Sequence, residues 1–208
     1  MLHNVRGGKG NLDKRVEKTK RSIRNALVSL MQSKELSHIT VKELSEVAMI
    51  NRKTFYTHYA DIYEIYDEIE TELISDLLAI IKQYQVGKRD FHTYDLFKHL
   101  NDFINSDLEF YRKLMGSYGT DGFANKIKCA LKKALMEMVR EQVKMGEVQL
   151  SMCSEYIASG IMGMYLEWFR SDQPVSIEEL ARMASILSIG GSSRYLITGN
   201  IEYKRRDK

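Results

Sequence analysis

The segment from Thr40 to Tyr59 constrains the fold of this chain more than any other part of its sequence. Thr40 followed by Glu43 has the pattern of a capping box, which starts a helix by satisfying backbone N–H groups that lack helical partners. Asn51 is a favourable N-cap residue and opens a second short helical run. Ala48, between them, is small enough for two helices to cross closely. The segment therefore predicts two short helices joined by a tight turn.

The apolar residues of this segment predict which sides of the two helices are buried. In the first helix the residues expected to face inward are Val41, Leu44, Val47 and Ala48, and Ile50 is expected to close the turn. Phe55 and Tyr59 lie one helical turn apart and are expected to fill the core. The side chains left facing outward are Arg52, Lys53, Thr54, Tyr56, Thr57 and His58. Such a polar face is common on any solvated helix, but a capped helix pair with a basic second member favours a helix-turn-helix that lies in the major groove of DNA.

The distribution of charge agrees with this interpretation. Residues 1–60 carry 12 Lys and Arg against 5 Asp and Glu, whereas residues 61–208 carry 19 against 23. A basic first third followed by an acidic remainder is typical of a nucleic-acid-binding module joined to a different domain. A solvated basic tail would give the same imbalance, so charge alone leaves both interpretations open.

The rest of the chain is predicted to be helical, which gives an all-α fold. It holds one proline, Pro174, and its apolar residues recur at three- and four-residue spacing. A capping pattern at Asp61 and Glu64 opens a long amphipathic helix, and Gly87–Asp90 ends it. We therefore expect a flexible basic arm over 1–14, a helix-turn-helix domain over 15–60, a connecting helix over 61–86 and a helical domain over 87–208.

Several functional classes find little support in the sequence. No apolar run is long enough to span a membrane, and the N-terminus lacks the apolar stretch of a signal peptide, so we expect a cytoplasmic protein. The two cysteines form no ligand or disulfide pattern, and no catalytic set or cofactor motif is present. His92, Asp95, His99 and Asp102 share a helical face that could hold a metal ion, but a solvated face is the simpler interpretation. The sequence thus predicts neither an enzyme nor a cofactor.

The residues from about Arg15 to Leu73 resemble the DNA-binding domain of the tetracycline-repressor (TetR) family. The matching stretches are Thr19–Ala26, Ile39–Leu44 and, most specifically, Asn51–Tyr59 with its Thr-Phe-Tyr-Thr-His-Tyr sequence. The resemblance implies that Arg52 and Lys53 read bases. It also implies phosphate contacts from Thr40, Thr54, Tyr56 and His58, to which we add Thr57 and the basic flank residues Lys20 and Arg21.

Two positions depart from the family pattern. Met49 stands in the turn where the family usually has glycine. Because a left-handed backbone there would cost about 1–2 kcal/mol, we expect the turn to be adjusted. Ile62 stands where the family commonly has a phosphate-binding lysine at the start of the fourth helix. We expect one backbone contact with DNA to be lost at Ile62.

The resemblance also implies a homodimer that pairs through its last two long helices and reads a palindromic site in double-stranded DNA. The residues predicted to lie at this interface are Ile157, Gly160, Ile161, Met164, Trp168, Leu180, Met183, Ala184 and Leu187. An ordinary intramolecular core would show the same spacing at any one of these positions.

A small-molecule effector that modulates DNA binding is a further implication of the resemblance, and repression is the habit of the family. The residues offered as effector contacts are Phe110, Tyr111, Met115, Tyr118, Phe123, Met136, Tyr156 and Tyr165. Most aromatic and methionine side chains of this kind simply form core. The alternative is a co-activator or adaptor of the same fold that binds another protein and no small molecule.

Overall fold

A computed structural model describes residues 9–84, 92–117, 121–141, 144–171 and 175–190. Within these ranges the chain is helical and contains no strand, which confirms the predicted all-α class. The helices are α1 (Lys9–Leu30), α2 (Val41–Val47), α3 (Arg52–Tyr56), α4 (Ile62–Lys82), α5 (Thr93–Asn105), α6 (Leu108–Gly116), α7 (Asp121–Val139), α8 (Glu147–Arg170) and α9 (Ile177–Ser185). None of these helices is long and apolar enough to cross a membrane.

The chain forms two compact units. The N-terminal unit contains the residues up to Glu72 together with Gly116 and Ser117, and the C-terminal unit contains Leu73–Met115 and the residues from Asp121 onward. The division falls inside α4, whereas the sequence places its domain boundary near Gly87. Ser117 joins the N-terminal unit through a 2.6 Å hydrogen bond from Gln32 Nε2 to its Oγ.

Helix α1 begins at Lys9, inside the segment that the sequence assigns to a flexible arm. Gly10 falls in the first turn, where the backbone N–H groups have no helical partner in any case, so this glycine does not prevent the helix from starting there. The prediction for residues 1–8 lies outside the described residues.

The core of the N-terminal unit is formed by one face of α1 and by single residues of the two short helices. Ile23 and Leu27 from α1, Leu44 from α2 and Phe55 from α3 are fully buried. The Ser22 hydroxyl donates a 2.9 Å hydrogen bond to the carbonyl oxygen of Ala48, which fixes α1 against the end of α2.

The prediction that Val47 faces inward is wrong, because its side chain is 45% exposed. Leu44 and Ala48 lie four residues apart and share the buried side, whereas Val47 points about 100° away from Ala48. Val41, which was also expected to face inward, is only half-buried. A helix of seven residues buries a narrower face than its apolar content suggests.

The turn between α2 and α3 keeps a left-handed backbone at Met49, so the expectation that the turn is adjusted to avoid it is wrong. Met49 adopts a φ of 56°, and its side chain is 93% exposed. The Met49 N–H donates to the Glu46 carbonyl oxygen at 3.2 Å, and the Ile50 N–H donates to the Ser45 carbonyl oxygen at 3.0 Å. These hydrogen bonds hold Met49 in a conformation that its Cβ disfavours.

The C-terminal unit is joined by ion pairs at its surface and by a hydrogen-bonded pair in its interior. Glu155 of α8 accepts from Lys128 Nζ at 2.7 Å and lies 3.1 Å from Lys132 Nζ, both on α7. Inside the unit the amide of Asn101 donates to the Ile177 carbonyl oxygen and accepts a 2.7 Å hydrogen bond from the Tyr165 hydroxyl. Asn101 thereby ties α5, α8 and the start of α9 together.

Replacing Met49 by glycine should stabilise the protein by about 0.5–1 kcal/mol, because the strain of the left-handed backbone is relieved and the exposed side chain makes little contact. Chemical denaturation followed by circular dichroism measures this difference. Met49→Ala is the matched control, since alanine keeps the strained Cβ and should leave stability nearly unchanged. An equal gain in both variants would show that strain at this turn is not the cause.

Candidate nucleic-acid interface

The two short helices are capped at their N-termini by the residues that the sequence singles out. Thr40 Oγ1 accepts a hydrogen bond from the Glu43 N–H at 3.2 Å, and Asn51 Oδ1 accepts from the Thr54 N–H at 2.7 Å. The Glu43 carboxylate forms an ion pair with Lys34 Nζ at 2.6 Å. The predicted start of each helix is therefore confirmed.

Helix α3 presents its cationic and aromatic side chains to solvent. Arg52 and Lys53 are exposed, and within the described ranges neither makes an ion pair or a side-chain hydrogen bond. Tyr56 is 59% exposed, and its ring meets the buried ring of Phe55 edge-on at a centroid distance of 5.2 Å. Thr57 is exposed and His58 is half-buried. The outward face of α3 therefore carries two uncommitted positive charges.

The two threonine hydroxyls of this face already have acceptors within the protein. Thr54 Oγ1 donates to Asn51 Oδ1 at 3.0 Å, and Thr57 Oγ1 donates to the Thr54 carbonyl oxygen at 2.6 Å. A phosphate oxygen can only accept a hydrogen bond from a hydroxyl. Each threonine must therefore rotate its hydroxyl group before it can contact a phosphate.

The flank residue Lys20 is committed to a different contact. Its Nζ lies 2.9 Å from Glu68 Oε2 on α4 and 5.2 Å from the centroid of the Tyr59 ring. The Tyr59 hydroxyl donates to the other oxygen of Glu68 at 2.9 Å. Lys20 thus has a structural role in the N-terminal unit, whereas Arg21, the other predicted flank residue, is exposed.

This cluster shifts the pKa of both groups that face Lys20. Burial, followed by the hydrogen bond to the Glu68 carboxylate, raises the pKa of Tyr59 above its ordinary value. Burial alone would raise the pKa of Glu68, but the hydrogen bonds from Lys20 and Tyr59 together with nearby positive charge outweigh it and lower that pKa. Glu68 therefore remains a carboxylate in the folded protein at neutral pH.

Lys42 is an exposed cation of α2 that the sequence reasoning overlooked. It lies two residues after Thr40, and no ion pair with it is present in the part of the chain that the structure describes. Glu46 follows at the i+4 position, but an order of lysine before glutamate is the less favourable one for a helical ion pair. The missed signal was a lysine in the first turn beside the capping threonine.

Comparisons with known proteins agree with this geometry. Residues 92–190 match a TetR family model described as a transcriptional regulator C-terminal region. An uncharacterized HTH-type transcriptional regulator of Bacillus subtilis, YxbF, is 30% identical to this chain over 53 residues, which is 26% of this chain and 14% of that protein. Residues 92–190 thus resemble the C-terminal region of TetR-family transcriptional regulators.

Solved structures of transcriptional regulators have a fold similar to that of this chain. The dihydroxyacetone kinase operon activator DhaS has a TM-score of 0.57 at 19% identity, covering 85% of this chain and 97% of its own. A TetR regulator from Streptococcus agalactiae has a TM-score of 0.57 at 20% identity, covering 87% of this chain and 99% of its own. FadR of Thermus thermophilus, a repressor solved with lauroyl-CoA, has a TM-score of 0.51 at 16% identity, covering 91% and 98%. These similar proteins are described as regulators of transcription.

The residues offered as effector contacts fall into three environments. Met115, Phe123 and Tyr165 are buried, and the Tyr165 hydroxyl is already bonded to Asn101. Phe110, Tyr111 and Met136 are half-buried, and Tyr118 lies outside the described residues. Tyr156 is 73% exposed, so its side chain does not line the interior of the unit.

Most of the residues predicted to lie at a dimer interface are instead core of the single chain. Ile157, Ile161, Trp168, Leu180 and Ala184 are all buried, Met164 is half-buried, and Gly160, Met183 and Leu187 are exposed. The exposed apolar residues of α8 are Val148, Met152 and Tyr156. Helix α8 has apolar residues on two sides. The predicted interface residues of α8 lie mainly on the inner side, which packs within the single chain.

The residues of the possible metal site do not assemble as ligands. His99 Nδ1 lies 3.0 Å from the Tyr84 hydroxyl, and His92 precedes α5 as its N-cap residue. Among the described residues, no group of histidine, cysteine and acidic side chains has the arrangement that holds a metal ion.

Replacing Glu68 by glutamine should destabilise the protein by about 1 kcal/mol at neutral pH, because the charge that pairs with Lys20 is lost. The folded pKa of Glu68 is depressed, so its contribution is fully present above the unfolded pKa and is lost as the pH falls through the folded value. The stability difference between wild type and Glu68→Gln should therefore shrink on acidification below about pH 4.5.

Urea denaturation at several pH values measures this difference. Glu46→Gln is the control, since Glu46 is an exposed α2 carboxylate with no ion pair in the described ranges, and its replacement should change stability little. A difference for Glu68→Gln that persists unchanged in acid would contradict the assigned role.

Proposed function

We propose that this chain binds a palindromic operator as a homodimer, represses transcription there, and is modulated by a small-molecule effector. The observation that supports the proposal is the pair of uncommitted cations, Arg52 and Lys53, on the outward face of a capped and anchored α3. The similarity of residues 92–190 to TetR-family transcriptional regulators supports a role in regulation, and the exposed residues of α3 support DNA binding.

Each half-site would be read by α3 and held by α2. Arg52 and Lys53 have the donors that guanine edges accept in the major groove. Lys42 and the Thr40 hydroxyl, both at the start of α2, are placed in sequence to contact the phosphates that flank the groove. Tyr56, Thr57, Thr54 and His58 complete the proposed contacts with the DNA backbone.

The outer face of α8 offers a surface for a second copy of the chain. Val148, Met152 and Tyr156 recur every four residues and so lie on one side of the helix, which Gly160 and Gly163 continue. A Cβ added at either glycine would meet nothing within 4 Å. No contact within the single chain therefore requires a glycine at either position. A glycine inside a helix costs about 0.5–1 kcal/mol relative to alanine. Close approach of a partner helix would explain why both are present.

Exposed apolar residues at the end of α9 and directly after it offer further area for such a contact. Met183 of α9 is 38% exposed, and Ile186 and Leu187 are 60% and 58% exposed. A homodimer would supply two copies of α3, one for each half-site of an operator whose half-sites lie about 34–36 Å apart. A chain that stays monomeric would instead favour the adaptor alternative, with these residues covered by a different protein.

The C-terminal unit is the proposed effector site. Phe110, Tyr111 and Met136 are half-buried, and the Tyr111 ring packs 5.3 Å from that of Phe103, which gives apolar material of the kind that binds small molecules. FadR of similar fold is solved with lauroyl-CoA, which supports an effector with an apolar portion. Such a molecule can change DNA binding only if its affinity differs between the two states of the protein.

Arg52→Ala and Lys53→Ala should each weaken operator binding by about 1–3 kcal/mol while leaving random DNA much less affected, since base contacts carry the preference. Tyr56→Phe should weaken binding to all sequences alike. The operator is first obtained by selecting bound duplexes from a random library, and fluorescence anisotropy then gives the affinities. Lys133→Ala, an exposed α7 cation, is the control that should change neither. Equal loss on operator and random DNA for the α3 variants would contradict base reading.

Gly160→Ala should weaken the dimer, because the added methyl group lies where the partner helix would approach. The same change should stabilise an isolated chain by about 0.5–1 kcal/mol through helix propensity. Sedimentation equilibrium measures dimer dissociation, with wild type expected at twice 24.1 kDa. Gly122→Ala in α7, where a Cβ also meets nothing, is the control and should leave dimerisation unchanged. A monomeric wild type would remove the pairing proposal.

A further inference from the structure

The N-terminus of α4 is closed by two carboxylates. Asp61 Oδ1 accepts a hydrogen bond from the Glu64 N–H at 2.9 Å, and Glu64 Oε2 accepts from the Ala60 N–H at 2.5 Å. The two side chains satisfy backbone donors at the positive end of the helix dipole. That end of α4 therefore has no need of an external anion.

Unlike Glu68 and Glu72 of the same helix, these two carboxylates have no cationic partner among the described residues. Glu68 pairs with Lys20 and Glu72 with Arg24 Nη1 at 2.6 Å. Within the described ranges Asp61 and Glu64 make no ion pair and are exposed. The other residues of the first turn, Ile62 at 5% and Tyr63 at 55% exposure, bring no positive charge. The start of α4 thus carries two negative charges that no cationic side chain of the described residues neutralises.

This negative charge lies close to the end of the proposed recognition helix. Asp61 follows Thr57, the C-cap residue of α3, by four residues, which limits their separation to about 14 Å. The intervening chain is folded into a turn, since the N–H groups of His58 and Tyr59 both donate to the Phe55 carbonyl oxygen, at 2.9 and 3.0 Å. Charges separated by about 10 Å still interact at moderate ionic strength.

We propose that Asp61 and Glu64 act as an electrostatic brake on DNA binding. Their repulsion of the phosphate backbone lowers affinity for every sequence, so that binding depends on the base contacts of Arg52 and Lys53. This inference rests on the proposed function and adds to it two residues that oppose binding. Because phosphate repulsion carries no sequence information, the brake acts equally on operator and unrelated DNA.

The test is the double variant Asp61→Asn/Glu64→Gln. Asparagine caps a helix about as well as aspartate, and glutamine can keep the return hydrogen bond of the capping box, so the two changes remove charge with little change in geometry. In about 50 mM salt, affinity for operator and for unrelated duplex should rise by the same factor, roughly three- to tenfold, and the gain should fade by about 200 mM. Each single variant should give part of this gain.

The control is Asp76→Asn/Glu137→Gln, which removes two exposed carboxylates from α4 and α7 outside the N-terminal unit. It changes the net charge equally and should leave DNA affinity nearly unchanged. An equal gain in the control, or no gain in the Asp61/Glu64 variants while they remain folded by circular dichroism, would overturn the brake and leave the proposed function intact. A wild type that binds no DNA at low salt would instead overturn the proposed function, and the brake with it.

Discussion

The burial of Phe55 and Tyr59 is the interaction on which the N-terminal unit depends. Helix α3 has only five residues, and a helix of that length is not stable in water by itself. It exists because Phe55 is fully buried, Tyr59 is 2% exposed, and Asn51 satisfies its first N–H groups. The exposed face of α3 is thus held in place by two aromatic side chains on its opposite side.

Charge in the N-terminal unit is partly neutralised before any ligand arrives. Lys20, Arg24 and Lys34 each pair with a glutamate of α4 or α2, whereas Lys42, Arg52 and Lys53 do not within the described ranges. The excess of positive charge in the first third of the sequence therefore overstates what is available to DNA. The paired cations Lys20 and Arg24 join α1 to α4, whereas the unpaired cations remain available to an anionic partner.

The sequence predicted the elements governed by local chemistry and failed where tertiary packing decides. The caps at Thr40 and Asn51 depend on neighbouring residues, and both were predicted correctly. The left-handed backbone at Met49 was not predicted, because the hydrogen bonds that hold it form only in the folded turn. The outward face of α3 could be predicted from the sequence because only Phe55 interrupts its polar residues. The ion pair of Lys20 could not be predicted, since its partner Glu68 lies 48 residues away in the sequence. On α8, apolar residues occupy two sides, so spacing could not distinguish Ile157, which is buried, from Tyr156, which is exposed.

The membership of Ser117 in the N-terminal unit has a consequence for how the protein is made. Because Gln32 finds its partner 85 residues later, the N-terminal unit is not a continuous stretch of chain. During synthesis α1 to α3 emerge first, yet that unit stays incomplete until α5 and α6 have also left the ribosome. The residues that begin the sequence therefore finish folding only after more than half of the chain has been made.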